Sequence, residues 1–218
     1  ALREVLLTDV CRYSLGVNSS ERLPYGWVRD GVFVPIIERN TVIPASREQL
    51  FTPLDDRQRF VEFSIYQGES LNVRDNIELG VIQIPVPPGR ATQAAVHCRF
   101  TYDINGLLEV DVFVPHTNER RQLVIMDKDV PVDEAQFARR REELARLKIH
   151  PREQDANRAV MARAERCFEG ALGERRAAIA QLLSRFSAVI ESQDPREIDA
   201  VREDITRALD DIEGETYL

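Results

Sequence analysis

The apolar residues of this 218-residue chain change their period once, near Val130-Pro131, and that change restricts the chain to a segregated architecture. Ahead of it the runs are short, rich in β-branched and aromatic residues, and punctuated by turn signals. The stretch Phe60-Val61-Glu62-Phe63-Ser64-Ile65-Tyr66-Gln67 shows the pattern best. Phe60, Glu62, Ser64 and Tyr66 fall on one face of a strand, Val61, Phe63, Ile65 and Gln67 on the other, and Gly68 closes the run. Further strands are predicted at 13–17, 32–37, 49–54, 77–84 and 121–125, with Pro35 marking an edge or a bulge. A hairpin is predicted from 96–104 and 107–114, two β runs around Asn105-Gly106. Residues 18–31 turn polar and contain Pro24, Gly26 and Gly31, so they read as a long loop carrying Tyr25 and Trp27. So many short strands with frequent turns mean a sandwich or a barrel.

After the break the spacing is helical. Residues 133–148 form a charged helix, and Pro151 marks a break into a second. In that helix Val160, Ala164, Cys167, Phe168, Ala171, Leu172, Ile179, Leu182, Leu183, Phe186, Val189 and Ile190 share a face. Gly170 and Gly173 weaken its middle by up to about 1 kcal/mol each relative to Ala. Asp194-Pro195 supplies an N-cap and a proline at the first helical position. Ile198, Val201, Ile205, Leu209 and Ile212 then trace one side of a third helix, which must pack on its neighbour. The expected fold is α+β, an antiparallel β-sandwich followed by an α-helical bundle.

Composition and motif content exclude several functions. A formal net charge of −8 argues against nucleic acid as the main partner, because phosphate binding needs clustered Lys and Arg. No apolar run approaches the roughly 20 residues of a membrane span, and no signal peptide is visible. Cys11, Cys98 and Cys167 are odd in number and far apart, which favours a reducing cytosol over a disulfide framework. His97, His116 and His150 lack a second ligand at metal spacing, so each reads as structural or merely exposed. The sequence has no phosphate-cradling glycine loop and no nucleophile elbow. Asp55-Asp56 reads as a turn and Glu142-Glu143 as a solvated helix face. No residue here supports an enzyme reading. The chain opens on Ala1 rather than Met and is read as a piece of a longer protein.

Local motifs carry a family resemblance. Val5-Leu6-Leu7-Thr8-Asp9-Val10, Ser14-Leu15-Gly16-Val17, Arg39-Asn40-Thr41-Val42-Ile43-Pro44, Tyr66-Gln67-Gly68-Glu69 and Asp103-Ile104-Asn105-Gly106-Leu107-Leu108-Glu109-Val110 resemble the substrate-binding region of the DnaK-type, seventy-kilodalton heat-shock chaperones. The similarity covers nearly all of 5–148 and continues more loosely to the end. The wording of 36–44 and the short tail look most like the bacterial HscC branch. The resemblance implies an interdomain linker over 1–10, a β-sandwich substrate-binding subdomain over 11–129 and an α-helical lid over 130–218. It implies an extended hydrophobic segment of an unfolded polypeptide held in a cleft of the sandwich. Val17, Phe51, Val61, Phe63 and Val96 would line the central pocket, with Val61 at the gating position. Leu54 would form one half of an arch over the bound backbone. The other half falls in 18–31, with Tyr25 and Trp27 as its candidates. Asp56 and Arg90 match a latch between loops and lid, whose usual lid acid aligns with Asn157. Leu6, Leu7, Asp9, Arg39 and Pro44 match positions of interdomain coupling, whereas Asn105 replaces an acid common there.

The resemblance further implies partners outside this stretch: the protein's own nucleotide-binding domain, using ATP or ADP with Mg, and a J-domain co-chaperone, in the bacterial cytoplasm. No cofactor is expected within these residues. The physics suits peptide capture, since backbone hydrogen bonds to strand edges contribute about 0.5–1.5 kcal/mol each. One buried Leu or Ile adds roughly 1.5–3 kcal/mol. Less the cost of ordering a flexible chain, the sum lands near micromolar affinity, about −8 kcal/mol. The competing reading is a non-catalytic adaptor that binds one folded partner.

Overall fold

In a computed structural model the described residues are 9–89, 94–126 and 134–214. They form two units, residues 1–148 and 149–218 by their contacts, and each is described by itself.

The first unit is a sandwich of two four-stranded antiparallel sheets, ordered β2-β1-β4-β5 and β3-β6-β7-β8. The strands are β1 (Leu15–Arg22), β2 (Val28–Ile37), β3 (Ala45–Phe51), β4 (Phe60–Gln67), β5 (Ile77–Pro85), β6 (Val96–Tyr102), β7 (Leu107–Val114) and β8 (Glu119–Met126). Period-two alternation sends Val17, Phe63, Ile65, Ile82 and Ile84 of one sheet and Val96, Cys98, Phe100, Val110 and Val112 of the other into a shared core. β2 is a sheet edge, and Pro35 sits exposed on it beside a register shift, as its missing N–H requires. Gly68 has φ 153°, and a Cβ there would lie 2.2 Å from Asn76 Oδ1. The glycine that ends β4 therefore lets the Asn76 side chain close the turn.

Three expectations shift. The stretch 18–31 is not a loop: β1 runs on to Arg22 and β2 starts at Val28, so most of it is a two-stranded ribbon. Its alternation was invisible because both faces are largely solvated and polar. Its turn is built on left-handed Tyr25 (φ 68°) and Gly26 (φ 83°) and closed by the Leu23 N–H donating to Trp27 C=O at 2.8 Å. β3 lies earlier than 49–54, because buried Ala45 and Ser46 carry little apolar signal and Pro53 cannot extend the ladder. The long second helix is two, α2 (Asp155–Gly170) and α3 (Gly173–Ser192), broken where Ala171 and Leu172 are extended and Gly173 is left-handed at φ 57°.

A short helix, α1 (Glu134–Ala145), continues into a 3₁₀ turn, Arg146–Lys148, and belongs to the first unit. Alternation along β7 turns Glu109 and Asp111 away from the core, and basic residues from α1 and its turn meet them. Arg141 Nε lies 2.5 Å from Glu109 Oε1, and Lys148 Nζ lies 2.7 Å from Glu109 Oε2 and 2.6 Å from Asp111 Oδ2. Arg140 Nε donates to Asp103 Oδ2 at 2.7 Å. Asp103 Oδ1 meanwhile accepts from the backbone N–H groups of Asn105 and Leu107, fixing the Asn105-Gly106 turn.

The second unit packs α2, α3 and α4 (Pro195–Gly214) around Ala164, Phe186, Ile190, Ile198, Val201, Ile205 and Leu209. Asp194 Oδ1 accepts from the N–H of Arg196 at 2.9 Å, the N-cap expected ahead of Pro195. Among the described residues no helix is long and apolar enough to cross a membrane.

Candidate functional site

The ladder between β1 and β4 is short. It pairs Leu15 with Gln67, Gly16 with Tyr66 and Val17 with Ile65, and then stops. Beyond that point β1 pairs only with β2, and β4 only with β5. Residues 18–22 and 60–64 thus face one another along edges that no described strand fills. Such edges are templates for an added extended chain.

The five residues assigned to the pocket all belong to the apolar core of the sandwich. Val17, Phe63 and Val96 are 0%, 2% and 0% exposed in one core cluster, and half-buried Phe51 and Val61 pack against it. Phe51 and Phe63 meet edge-to-face with ring centroids 5.2 Å apart. Val96 pairs with Phe51 across β3 and β6, and Val61 pairs with Ile84 across β4 and β5. The apolar core therefore approaches the surface where the first sheet divides.

Strand direction places three connections at this end. The β1–β2 turn, the β3–β4 loop (52–59) and the β5–β6 connection all lie where Phe60 pairs with Pro85 and β1 runs out. The β3–β4 loop is braced internally: Leu54 N–H donates to Gln58 Oε1 at 3.1 Å, and Gln58 Nε2 donates to Phe60 C=O at 2.8 Å. It is tied to the next connection by Val86 N–H to Arg59 C=O at 2.9 Å and Gly89 N–H to Asp56 C=O at 3.1 Å. Leu54 is 37% exposed on this loop. Trp27 sits past the ribbon's turn and is 74% exposed. Arg90 lies outside the described residues, as do Leu6 and Leu7. Asn157 is fully buried inside the helical unit, donating to Pro151 C=O at 2.9 Å and accepting from Arg202 Nη1 at 3.0 Å.

Asp9, Arg39 and Pro44, which the resemblance assigns to interdomain coupling, lie at the opposite end of β1. Asp9 C=O accepts from Ile43 N–H at 3.0 Å, beside exposed Pro44. Glu69 takes the Ser14 N–H at 2.7 Å and lies 3.8 Å from Arg39 Nε, while Arg39 N–H donates to Ser14 Oγ at 3.0 Å.

His97 and His150 brace the scaffold. His150 Nδ1 accepts from Arg152 N–H at 3.1 Å, capping a short turn. His97 Nδ1 lies 2.8 Å from Glu48 Oε1, and Arg99 Nη2 lies 2.7 Å from Glu48 Oε2. Burial pushes the Glu48 carboxyl up, but the His97 hydrogen bond and the Arg99 guanidinium outweigh it and hold it below its ordinary range. Burial raises the thiol pKa of Cys11 and Cys98 and so keeps them protonated. Among the described residues no group of three His, Cys, Asp or Glu could hold a metal ion.

Sequence reasoning missed the acids that anchor α1. The available signal was charge complementarity: Asp103, Glu109 and Asp111 in an otherwise apolar hairpin, and Arg139-Arg140-Arg141 with Lys148 soon after.

An antiparallel sandwich followed by helices, with one sheet divided over the core, defines the chain as an α+β protein. A family model described as Hsp70 protein matches residues 1–217, and the chain belongs to the Hsp70 family. It is 35% identical over 108 residues to a heat shock protein of Pyricularia oryzae, covering 49% of this chain and 16% of that protein. It is 36% identical over 111 residues to "Chaperone protein DnaK" of Deinococcus deserti, covering 50% and 16%. With "Chaperone protein dnaK1" of Synechococcus elongatus the identity is 40% over 110 residues, covering 50% and 15%. The match thus spans about a sixth of the length of these relatives.

Proposed function

We propose that this chain is the substrate-binding region of a DnaK-type chaperone and holds an extended hydrophobic polypeptide segment where β1 and β4 part. The observation that carries this reading is the early end of the β1–β4 ladder directly over the apolar cluster of Val17, Phe51, Val61, Phe63 and Val96. The open edges offer backbone hydrogen bonds to any sequence, and the cluster selects for one large apolar side chain. Leu54 forms one half of the arch over the bound backbone and the near part of the ribbon at 18–22 the other; Trp27, a candidate for that half, stands at the ribbon's far end. Asp56 and Arg90 supply the loop side of a latch to the lid. Leu6, Leu7, Asp9, Arg39 and Pro44 couple the site to the protein's own nucleotide-binding domain. That domain binds ATP or ADP with Mg and hydrolyses ATP. The linker occupies 1–10, the sandwich subdomain 11–129 and the lid subdomain 130–218. The lid helices govern how long the segment stays bound. A J-domain co-chaperone, a bacterial cytoplasmic setting and the HscC-like branch complete the reading.

Val61→Phe tests it. A labelled, Leu-centred peptide of about seven residues, roughly 23 Å when extended, is titrated by fluorescence anisotropy against both proteins. Wild type is expected to bind near micromolar, and the variant to lose binding while keeping its circular dichroism spectrum. Equal affinity for the two proteins would remove the pocket assignment.

A further inference from the structure

The β1–β2 ribbon ends in apolar residues that neither sheet uses. Leu23 is 37% exposed, Val28 47%, Trp27 74% and Tyr25 99%. Exposed apolar residues are ordinary when scattered, but these are gathered on one tight turn. The hydrogen bond from Leu23 to Trp27 and the left-handed pair Tyr25-Gly26 hold that turn. Sequence fixes where the turn stands. β1 extends five residues past Val17 to Arg22, so the turn begins roughly 17 Å beyond the pocket at about 3.3 Å per residue. That exceeds the reach of a single side chain.

The edge of 18–22 that faces away from β2 has no partner among the described strands. A segment entering the split as an added strand therefore runs along the ribbon towards Tyr25 and Trp27. The occupant follows from this continuity: the tip is the far end of the same open edge. Tyr and Trp suit the role, because each presents a large, stiff, amphipathic surface that loses little conformational freedom on contact.

The geometry points to a second contact for the same bound chain. Tyr25 and Trp27 take large aliphatic or aromatic client side chains about five positions away from the one seated against Val61. The inference rests on the peptide-binding reading and adds a spacing requirement to it. Clients with two apolar residues at that separation are gripped at two points.

Trp27 is the single tryptophan of the chain, so its fluorescence reports the tip alone. The experiment uses the whole chain and two labelled peptides with a central Leu. One is about seven residues, reaching roughly 11 Å to either side; the other is about fifteen residues with Phe at both flanks, reaching roughly 25 Å. Anisotropy gives affinity, and acrylamide quenching gives exposure of Trp27. Both peptides are expected to bind, and only the longer one to shield Trp27. Tyr25→Ser with Trp27→Ser is expected to weaken the longer peptide about tenfold, about 1.4 kcal/mol, and to leave the shorter one unchanged. The circular dichroism spectrum is expected to match wild type, since the residues are exposed.

If both peptides bind but Trp27 stays quenchable and the double variant binds the longer one normally, the second contact is wrong and the pocket stands. Equal losses for both peptides place the tip over the pocket and overturn the spacing. A dimer that dissociates in the double variant assigns the tip to a second copy of this chain and overturns the client contact. Failure of wild type to bind either peptide overturns this inference together with the proposed function.

Discussion

Glu48 shows how one carboxylate ties pH to the fold. It joins β3 to β6 through His97 and Arg99, and both partners favour its charged form. Its folded pKa is depressed, so its contribution is present above the unfolded value near 4.5 and is lost as pH falls through the folded one. Wild type is expected to lose melting temperature as pH drops below about 4.5, and Glu48→Gln to show a flatter profile there. Identical slopes for the two proteins would dismiss the coupling. Legibility at this scale was uneven. Alternation placed Val61 and Phe63 on one face of β4, and β4 lies where it was expected, at Phe60–Gln67. Tyr25 was hidden, because its left-handed backbone is a property of the turn rather than of tyrosine. Glu109 was hidden for another reason: a buried acid becomes readable only once its cations, 32 and 39 residues later, are brought beside it.

At the scale of elements, α1 and the 3₁₀ turn after it are tied to the sandwich by ion pairs with Asp103, Glu109 and Asp111. Glu109 is 1% exposed and lies between Arg141 and Lys148. Removing one side of a buried pair strands a charge, which costs about 3–5 kcal/mol when no partner remains. Lys148→Ala leaves Arg141 in place and is expected to cost less than this. Adding Glu109→Gln should recover part of the loss, with a coupling of about 0.5–3 kcal/mol in a double-mutant cycle measured by urea unfolding. Strict additivity would show the pair to be idle. Periodicity located well the elements with one buried face, β4, β5 and α4, and β7, whose run of β-formers is set off by Asn105-Gly106. The ribbon escaped notice because its strands are polar on both faces. The α2–α3 break was visible only as two glycines, whose spacing did not reveal that Ala171 and Leu172 leave the helix.

The whole molecule divides after Lys148, which leaves every basic anchor of α1 with the sandwich. A chain ending at Lys148 is therefore expected to keep the sandwich's thermal transition within about 4 °C and to release bound peptide faster than the full chain. A chain ending at Met126 loses the cations facing Asp103 and Glu109 and is expected to melt well below it. Calorimetry on the two truncations separates these outcomes, and equal stability would refute the anchoring role. The shared core of the two sheets also limits how the protein can evolve. Val17, Phe63 and Val96 are at once the interior of the sandwich and the proposed floor of its cleft. A substitution that alters which side chain the cleft prefers also opens a cavity or overfills the core, at about 1–5 kcal/mol. Drift at these positions is thereby confined to volume-conserving exchanges. Diversity among clients must then be gained on the loops and the ribbon, where sequence is free to change without endangering the fold.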